Sequence, residues 1–306
     1  MARTIGLIGV PSSAGAHWPG QEKAPQYLRD AGLAARLEAV GLRVKDYGDL
    51  PRVRFRPDSK NRHQQNLASV VGVARQVAAS VSLALQQQTV PLVVGGDCTI
   101  ALGVLAGFIR FHEDVGLIYF DGHTDLNTPL TSTSGILDSM GVAHMIGEYG
   151  TAEELSHIGE RFPLLPPERI VLFGYNPREI NRSEHEVLAR GQLRHYPSIE
   201  VERNAVAVAA EARSLLEQRA GRFVLHLDVD AIDFTDMPLA DAPQFSRGLS
   251  FENVVACLRV FASSPKFAGL TIAEVNPDHA DEEGLIIERF VSSLVDVLKL
   301  IAEAPD

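Results

Sequence analysis

The chain has 306 residues, 45% of them apolar, and a formal net charge of −11 from 28 basic and 39 acidic side chains. That length suits one large α/β domain, the apolar share is ordinary for a globular chain, and the excess of acid argues against nucleic acid as a partner. The two cysteines, Cys98 and Cys257, are too few for a disulfide framework and fit a reducing compartment. No apolar run reads as long enough to span a membrane and no leader pattern opens the chain, so a cytoplasmic protein without a membrane partner is expected.

In chain order, Thr4–Val10 reads as a buried first strand, followed by a loop holding His17 and Trp18. Apolar spacing predicts one helix over Ala24–Val40, stopped by Gly41, then a strand over Leu42–Asp46 and a polar surface excursion over Pro51–Asn66. A long helix over Leu67–Gln88 precedes the strand Val90–Val94, the turn Gly95-Gly96-Asp97-Cys98 and a helix over Ile100–Phe108. The strand Leu117–Phe120 opens into Asp121, His123, Asp125 and Asn127, and residues 128–150 read as a functional loop. Strands follow at Arg169–Phe173, Phe223–Val229 and Phe267–Ile272, helices at Ala205–Gln218, Phe251–Phe261 and Gly284–Ala302, and an irregular acidic loop at Asp233–Gly248. Alternation of strands and helices predicts a single α/β domain over residues 1–306, a three-layer α/β/α arrangement around a mostly parallel sheet.

In such a sheet, function collects at the carboxyl ends of the strands. That edge receives Asp97 and Cys98, then Asp121, His123 and Asp125, then Asp228 and Asp230, then Glu274. If extended geometry persists past Phe120, a period of two puts Asp121, His123 and Asp125 on one side of the chain. Carboxylates gathered at a buried edge repel one another unless a cation lies between them, and a mixed oxygen and nitrogen set suits divalent Mn, Zn or Ni. The donors suffice for two ions. His226 shares the ligand face of its strand but lies deeper, and reads as a satisfied core histidine. Asp233 reads as a turn cap, Asp97 as the organiser of the Gly-Gly turn, and His17 and Trp18 as pocket or loop packing.

The ordered motifs Gly-Gly-Asp-Cys-Thr, Asp-Gly-His-Thr-Asp-Leu-Asn-Thr-Pro, Asp-Val-Asp-Ala-Ile-Asp and Glu-Val-Asn-Pro resemble the ureohydrolase family, which includes arginase, agmatinase and formimidoylglutamase. Lys45–Leu50 and the Thr-Ser-Thr-Ser-Gly of 131–135 look most like arginase. The resemblance implies two Mn ions bridged by Asp121 and Asp228, with His123 and Asp230 completing one and Asp125 helping to complete the other. It implies that Asn127 and Ser134 hold the polar end of a small guanidino substrate and that Glu274 grips its guanidinium. A metal-bridging hydroxide would attack the guanidinium carbon and release urea, with Asp125, Glu274 and Asp138 as the catalytic groups. A homotrimer or homohexamer is also implied.

The sequence departs from this pattern at three places. Cys98 stands where the family's histidine ligates the first metal; it either ligates, favouring Zn, Fe, Co or Ni, or stays a neutral thiol beside a weak site. Ile136 and Asp138 replace an asparagine and a proton-shuttling histidine, leaving Asp138, or less readily His144, to carry the proton. In 174–179 only Glu179 remains acidic where the family reads the substrate's α-amino group. Two classes of function follow: a metallohydrolase of guanidino or amidino C–N bonds, or a non-catalytic relative that keeps the fold.

Overall fold

The computed structural model of the protein describes residues 3–242, 244 and 247–303. Among these residues eight strands form one sheet: β1 (Thr4–Gly9), β2 (Arg43–Asp49), β3 (Val90–Val94), β4 (Val115–Phe120), β5 (Ile170–Phe173), β6 (Arg194–Tyr196), β7 (Arg222–Asp228) and β8 (Phe267–Ala273). Their order is β2-β1-β3-β8-β7-β4-β5-β6, and every neighbouring pair is parallel. Parallel neighbours need long crossovers, which the helices supply. In chain order these are α1 (Ala24–Asp30), α2 (Leu33–Ala39), α3 (Leu67–Gln86), α4 (Ile100–Ile109), α5 (Gly141–Ile146), α6 (Glu153–Ser156), α7 (Arg182–Leu188), α8 (Ser198–Arg203), α9 (Ala205–Glu217), α10 (Phe251–Ala262) and α11 (Leu285–Glu303).

The alternation of side chains along the strands builds two cores, one on each face of the sheet. Ile5, Leu7, Leu92, Ile118, Phe120, Leu225 and Leu227 pack with α1, α2 and α8 to α11. Ile8, Val93, Leu117, Tyr119 and Val224 pack with α3 to α7. Because helices cover both faces, β4 is buried along its whole length and β7 everywhere but Arg222, which is why both read as unbroken apolar runs.

Three expectations about elements need correction. The single helix over 24–40 is two, because Gly32 takes the left-handed conformation (φ 79°) and α2 restarts from it. Residues 128–150 are not all loop: a 3₁₀ turn at Asp138–Met140 runs into α5. The short elements α6, α7, β6 and α8, of 4, 7, 3 and 6 residues, went unread because a turn or two is too short to show periodicity.

A fourth correction concerns α3. Its 20 residues, with a window of mean hydropathy 1.5, have the length and composition of a bilayer-crossing helix, against the expectation that no such run exists. Half of that window is buried within the protein. The reason is close packing on α4, where Gly103 and Gly107 leave room: a Cβ on Gly103 would meet the carbonyl oxygen of Ala74 at 2.4 Å, and one on Gly107 that of Ala78 at 2.9 Å.

Phe120 closes β4 just before the first site residue, fully buried and edge-on to Phe173 (4.9 Å between centroids) and Phe261 (6.4 Å). Phe120→Ala is expected to lower unfolding stability by about 3–5 kcal/mol in urea titration. A loss below about 1 kcal/mol would show that this aromatic cluster does not support the end of β4.

Candidate active site

The four central strands end side by side in the order β3, β8, β7, β4, with neighbours about 4.8 Å apart. Each end carries a polar group: Cys98 after β3, Glu274 after β8, Asp228 and Asp230 at β7, and Asp121 to Asp125 after β4. Strands β3 and β4 are consecutive in sequence, but β8 and β7 lie between them, and this joins groups far apart in the chain. Cys98 Sγ lies 2.9 Å from Asp228 Oδ2 and 3.7 Å from Asp121 Oδ2.

Tight turns, not extended chain, make the convergence. The strand stops at Phe120, and Asp121 Oδ1 accepts the amide of His123 at 2.5 Å, folding the backbone back. Asp125 sits in the left-handed region (φ 50°). Beyond β7, Asp230 lies in a 3₁₀ turn, donating its amide to Asp228 Oδ1 at 2.7 Å and accepting that of Gly122 on Oδ1 at 2.9 Å. His123 Nδ1 is 2.8 Å from Asp230 Oδ2 and 3.8 Å from Asp121 Oδ1, while its Nε2 is 3.2 Å from Glu179. One ligand atom from each of Asp121, His123 and Asp230 lies within 4.8 Å of the others.

Burial first, and then the neighbouring acids, push the carboxyls of Asp121, Asp228, Asp138 and Glu274 well above the ordinary range. Asp125 rises to about 7 by burial, opposed by the hydroxyl of Tyr119, which donates to its Oδ2. Burial opposes charge on His123, but Asp230 and Glu179 hold its pKa well above the usual value. Glu179 is held near 2, chiefly by its hydrogen bond to His123. A set of buried acids with an imidazole among them fits divalent cations, which would relieve both the desolvation and the repulsion.

The chain matches the family described as "Arginase family" over residues 3–296. It is 34% identical to human arginase-1 over 279 residues, covering 90% of this chain and 86% of that one. It is 32% identical to the arginase of Bacillus caldovelox, covering 90% and 91%. The solved structure of the B. caldovelox arginase superposes with a TM-score of 0.87 at 28% identity, covering 99% of each chain. The chain belongs to the arginase family. Members of this family are metal-dependent amidinohydrolases, and its α/β fold with a parallel sheet is the one built here.

Against the family pattern, the structure gathers most of the expected residues and displaces one. A cavity of about 380 Å³ is lined by His123, Asp125, Asn127, Ser134, Asp138 and Asp228, among others. Glu274 lies behind it, 3% exposed, with Oε2 accepting from Gln21 Nε2 at 2.9 Å. Asp138 Oδ1 accepts the amide of Cys98 at 2.6 Å, and one of its carboxyl oxygens lies within 4.8 Å of one of Glu274. Asn127 Oδ1 is taken by Asn181 Nδ2 (2.8 Å) and Thr131 Oγ1 (3.3 Å). Glu179 is not on the cavity wall: its carboxylate accepts from Gln244 at 2.9 Å and Asn176 at 3.0 Å and lies against His123.

His226 is no satisfied core residue: it is held neutral by burial, with a pKa near 3, and its Nε2 faces Cys98 Sγ at 3.0 Å. Asp97 ties the Gly-Gly turn to the first loop, accepting from Gly15 at 2.9 Å and from Thr99. Asp233 accepts from Thr235 in the turn after β7. His17 lines the cavity, while Trp18 is 58% exposed. The sequence pattern missed Tyr119, Gln21 and Gln244. Tyr119 alone carried a signal, since the period of two places it on the face of Asp121; Gln21 opens a single 3₁₀ turn and Gln244 makes an isolated bridge, both too short to show a pattern.

His144 is buried far from solvent and committed to the backbone, with Nδ1 2.7 Å from the Met140 carbonyl and Nε2 accepting from Ala152 at 3.1 Å. Burial lowers its pKa from 6.5 to about 4, so its neutral form is the folded one. The stability it contributes is complete above pH 6.5 and falls away as pH drops through 4, by about 3 kcal/mol. Wild-type stability in urea is therefore expected to fall more steeply than that of His144→Gln between pH 6.5 and 4. Parallel curves would place the imidazole in contact with solvent.

Proposed function

We propose that the protein hydrolyses the guanidino C–N bond of arginine or a related small guanidino compound, releasing urea. The observation that carries this reading is Glu274 Oε1, a buried carboxylate oxygen with no hydrogen-bond partner among the described residues, set beside the crowded acids. A planar cation with several N–H donors satisfies such an acceptor, whereas a neutral ligand leaves its charge uncompensated. A guanidinium placed against Glu274 lets that carboxylate ionise, while Asp138, kept protonated by burial and by its acid neighbours, is positioned to give its proton to the departing nitrogen. Asp125, at the cavity wall and steadied by Tyr119, is placed to accept the proton of the attacking water.

The residues that would hold two divalent ions, expected to be Mn²⁺, are Asp121, His123 and Asp230 for one, and Asp121, Asp125, Asp228 and Cys98 for the other. When bound, such ions supply Lewis acidity that makes water a nucleophile near neutral pH. Glu179 acts here through His123, orienting its ring by the nitrogen opposite the ligand atom. The outer rim bears neutral groups, Asn127, Thr131, Ser134 and Asn181. With its Oδ1 occupied, Asn127 offers its amide donors to an acidic substrate end. Both cysteines are free, in keeping with a cytoplasmic setting. A trimer or hexamer is expected from the family resemblance.

Urea release from a panel of guanidino compounds, with Mn²⁺, Co²⁺, Ni²⁺ and Zn²⁺ supplied in turn, tests the reading; no urea from any combination would overturn it. Glu274→Gln is expected to lower kcat/KM by about 10²–10³-fold, the loss for truncating one side of a buried charge pair, with metal content unchanged. Asp121→Asn is expected to lose both ions by elemental analysis, and retention of two equivalents would remove Asp121 from the bridging role.

A further inference from the structure

Cys98 is the departure that most alters the family's donor set, and it does not stand alone. His226, in the middle of β7, is fully buried and presents Nε2 to Cys98 Sγ at 3.0 Å. Its ring lies on that of Tyr119, with 4.6 Å between centroids and 13° between planes, so packing sets its direction. Its Nδ1 has no hydrogen-bond partner among the described residues, and neither has Oγ1 of Thr271, its register neighbour on β8. A buried imidazole with one nitrogen unpaired and the other aimed at a thiol is poorly satisfied as packing. One ligand atom from each of Cys98, Asp121 and His226 lies within 4.8 Å of the others.

We propose that Cys98 and His226 jointly hold the first ion with Asp121 and Asp228 completing the set, His226 taking the place given above to Asp125, whose Oδ2 is held by Tyr119. A histidine from the strand β7 thereby supplies the imidazole that the turn after β3 has lost, and a thiolate is added beside it. This inference rests on the metal reading above and refines it. Four-coordinate ions with bonds of about 2.0–2.3 Å place their ligand atoms roughly 3.3–3.7 Å apart. The separations here are 3.0 Å for His226 to Cys98, 2.9 Å for Cys98 to Asp228 and 3.7 Å for Cys98 to Asp121. Displacements of a few tenths of an ångström therefore open the site. On binding, the Cys98 S–H bond gives way to a sulfur–metal bond and the proton leaves to solvent. Sulfur beside imidazole favours an ion of the zinc or cobalt type at this position, whereas the Asp121, His123 and Asp230 side keeps an oxygen and nitrogen set suited to manganese.

The test uses metal-free full-length protein and zinc or cobalt alone. X-ray absorption at the zinc edge of the wild type is expected to show one sulfur neighbour at about 2.3 Å together with imidazole scattering. Cobalt loading is expected to give a thiolate-to-cobalt charge-transfer band. That band should vanish in Cys98→Ser and persist in His226→Asn, where cobalt affinity falls at least tenfold. A purely oxygen and nitrogen shell around bound zinc would overturn the proposal without the need for a variant. So would unchanged cobalt affinity in His226→Asn, which would return that ring to packing. Failure of the wild type to bind zinc, cobalt or manganese would instead defeat the metal reading itself, and this inference with it.

Discussion

The structure is governed by the crowding of acids at one buried edge. Asp121, Asp228 and Glu274, at the ends of β4, β7 and β8, are almost fully buried, Asp138 is half-buried beside them, and each is pushed toward its protonated form. Left alone, such a cluster works against the fold that creates it. In the function proposed, two kinds of cation would answer the same field: divalent ions between the aspartates, and a guanidinium against Glu274. The formal charge of −11 includes this cluster, so part of the acidity is internal.

The fold meets that demand by dividing rigid from turned backbone. The fully buried strands fix where each segment emerges, and short turns then aim the side chains. Among the described residues four non-glycine residues take positive φ, and two of them, Asp125 and Glu274, are in the site. Conformations of this kind cost about 1–3 kcal/mol each and persist where the surroundings over-determine them. Here the surroundings are hydrogen bonds from Tyr119 to Asp125, from Gln21 to Glu274, and between the amide of Glu274 and the carbonyl of Gly96 (3.0 Å).

The departures from the family pattern are chemically connected. Loss of the histidine after β3 is matched by a histidine two residues before Asp228, on the face that looks at the same point. Asp138, in the place of a proton-carrying histidine, lies beside Glu274, with one carboxyl oxygen of each within 4.8 Å of the other. The acid at Glu179 turns to His123 and leaves the rim to neutral amides and hydroxyls. Each change keeps the number of groups around the cluster while altering their hardness or charge.

Much of this was legible in the chain. Apolar strand runs interleaved with helical spacing determined the α/β class, and the motifs from Gly95 to Glu274 determined the family and which acids meet. Local pattern carried that information because burial on both faces forces continuous apolar strands. It did not carry strand order, the turn that takes over at Phe120, the break at Gly32, or the partners of Glu179 and His226. Those were decided only in three dimensions, because placing β8 and β7 between β3 and β4 is what brings residue 226 to residue 98, and no spacing along one segment records which segment will lie beside it.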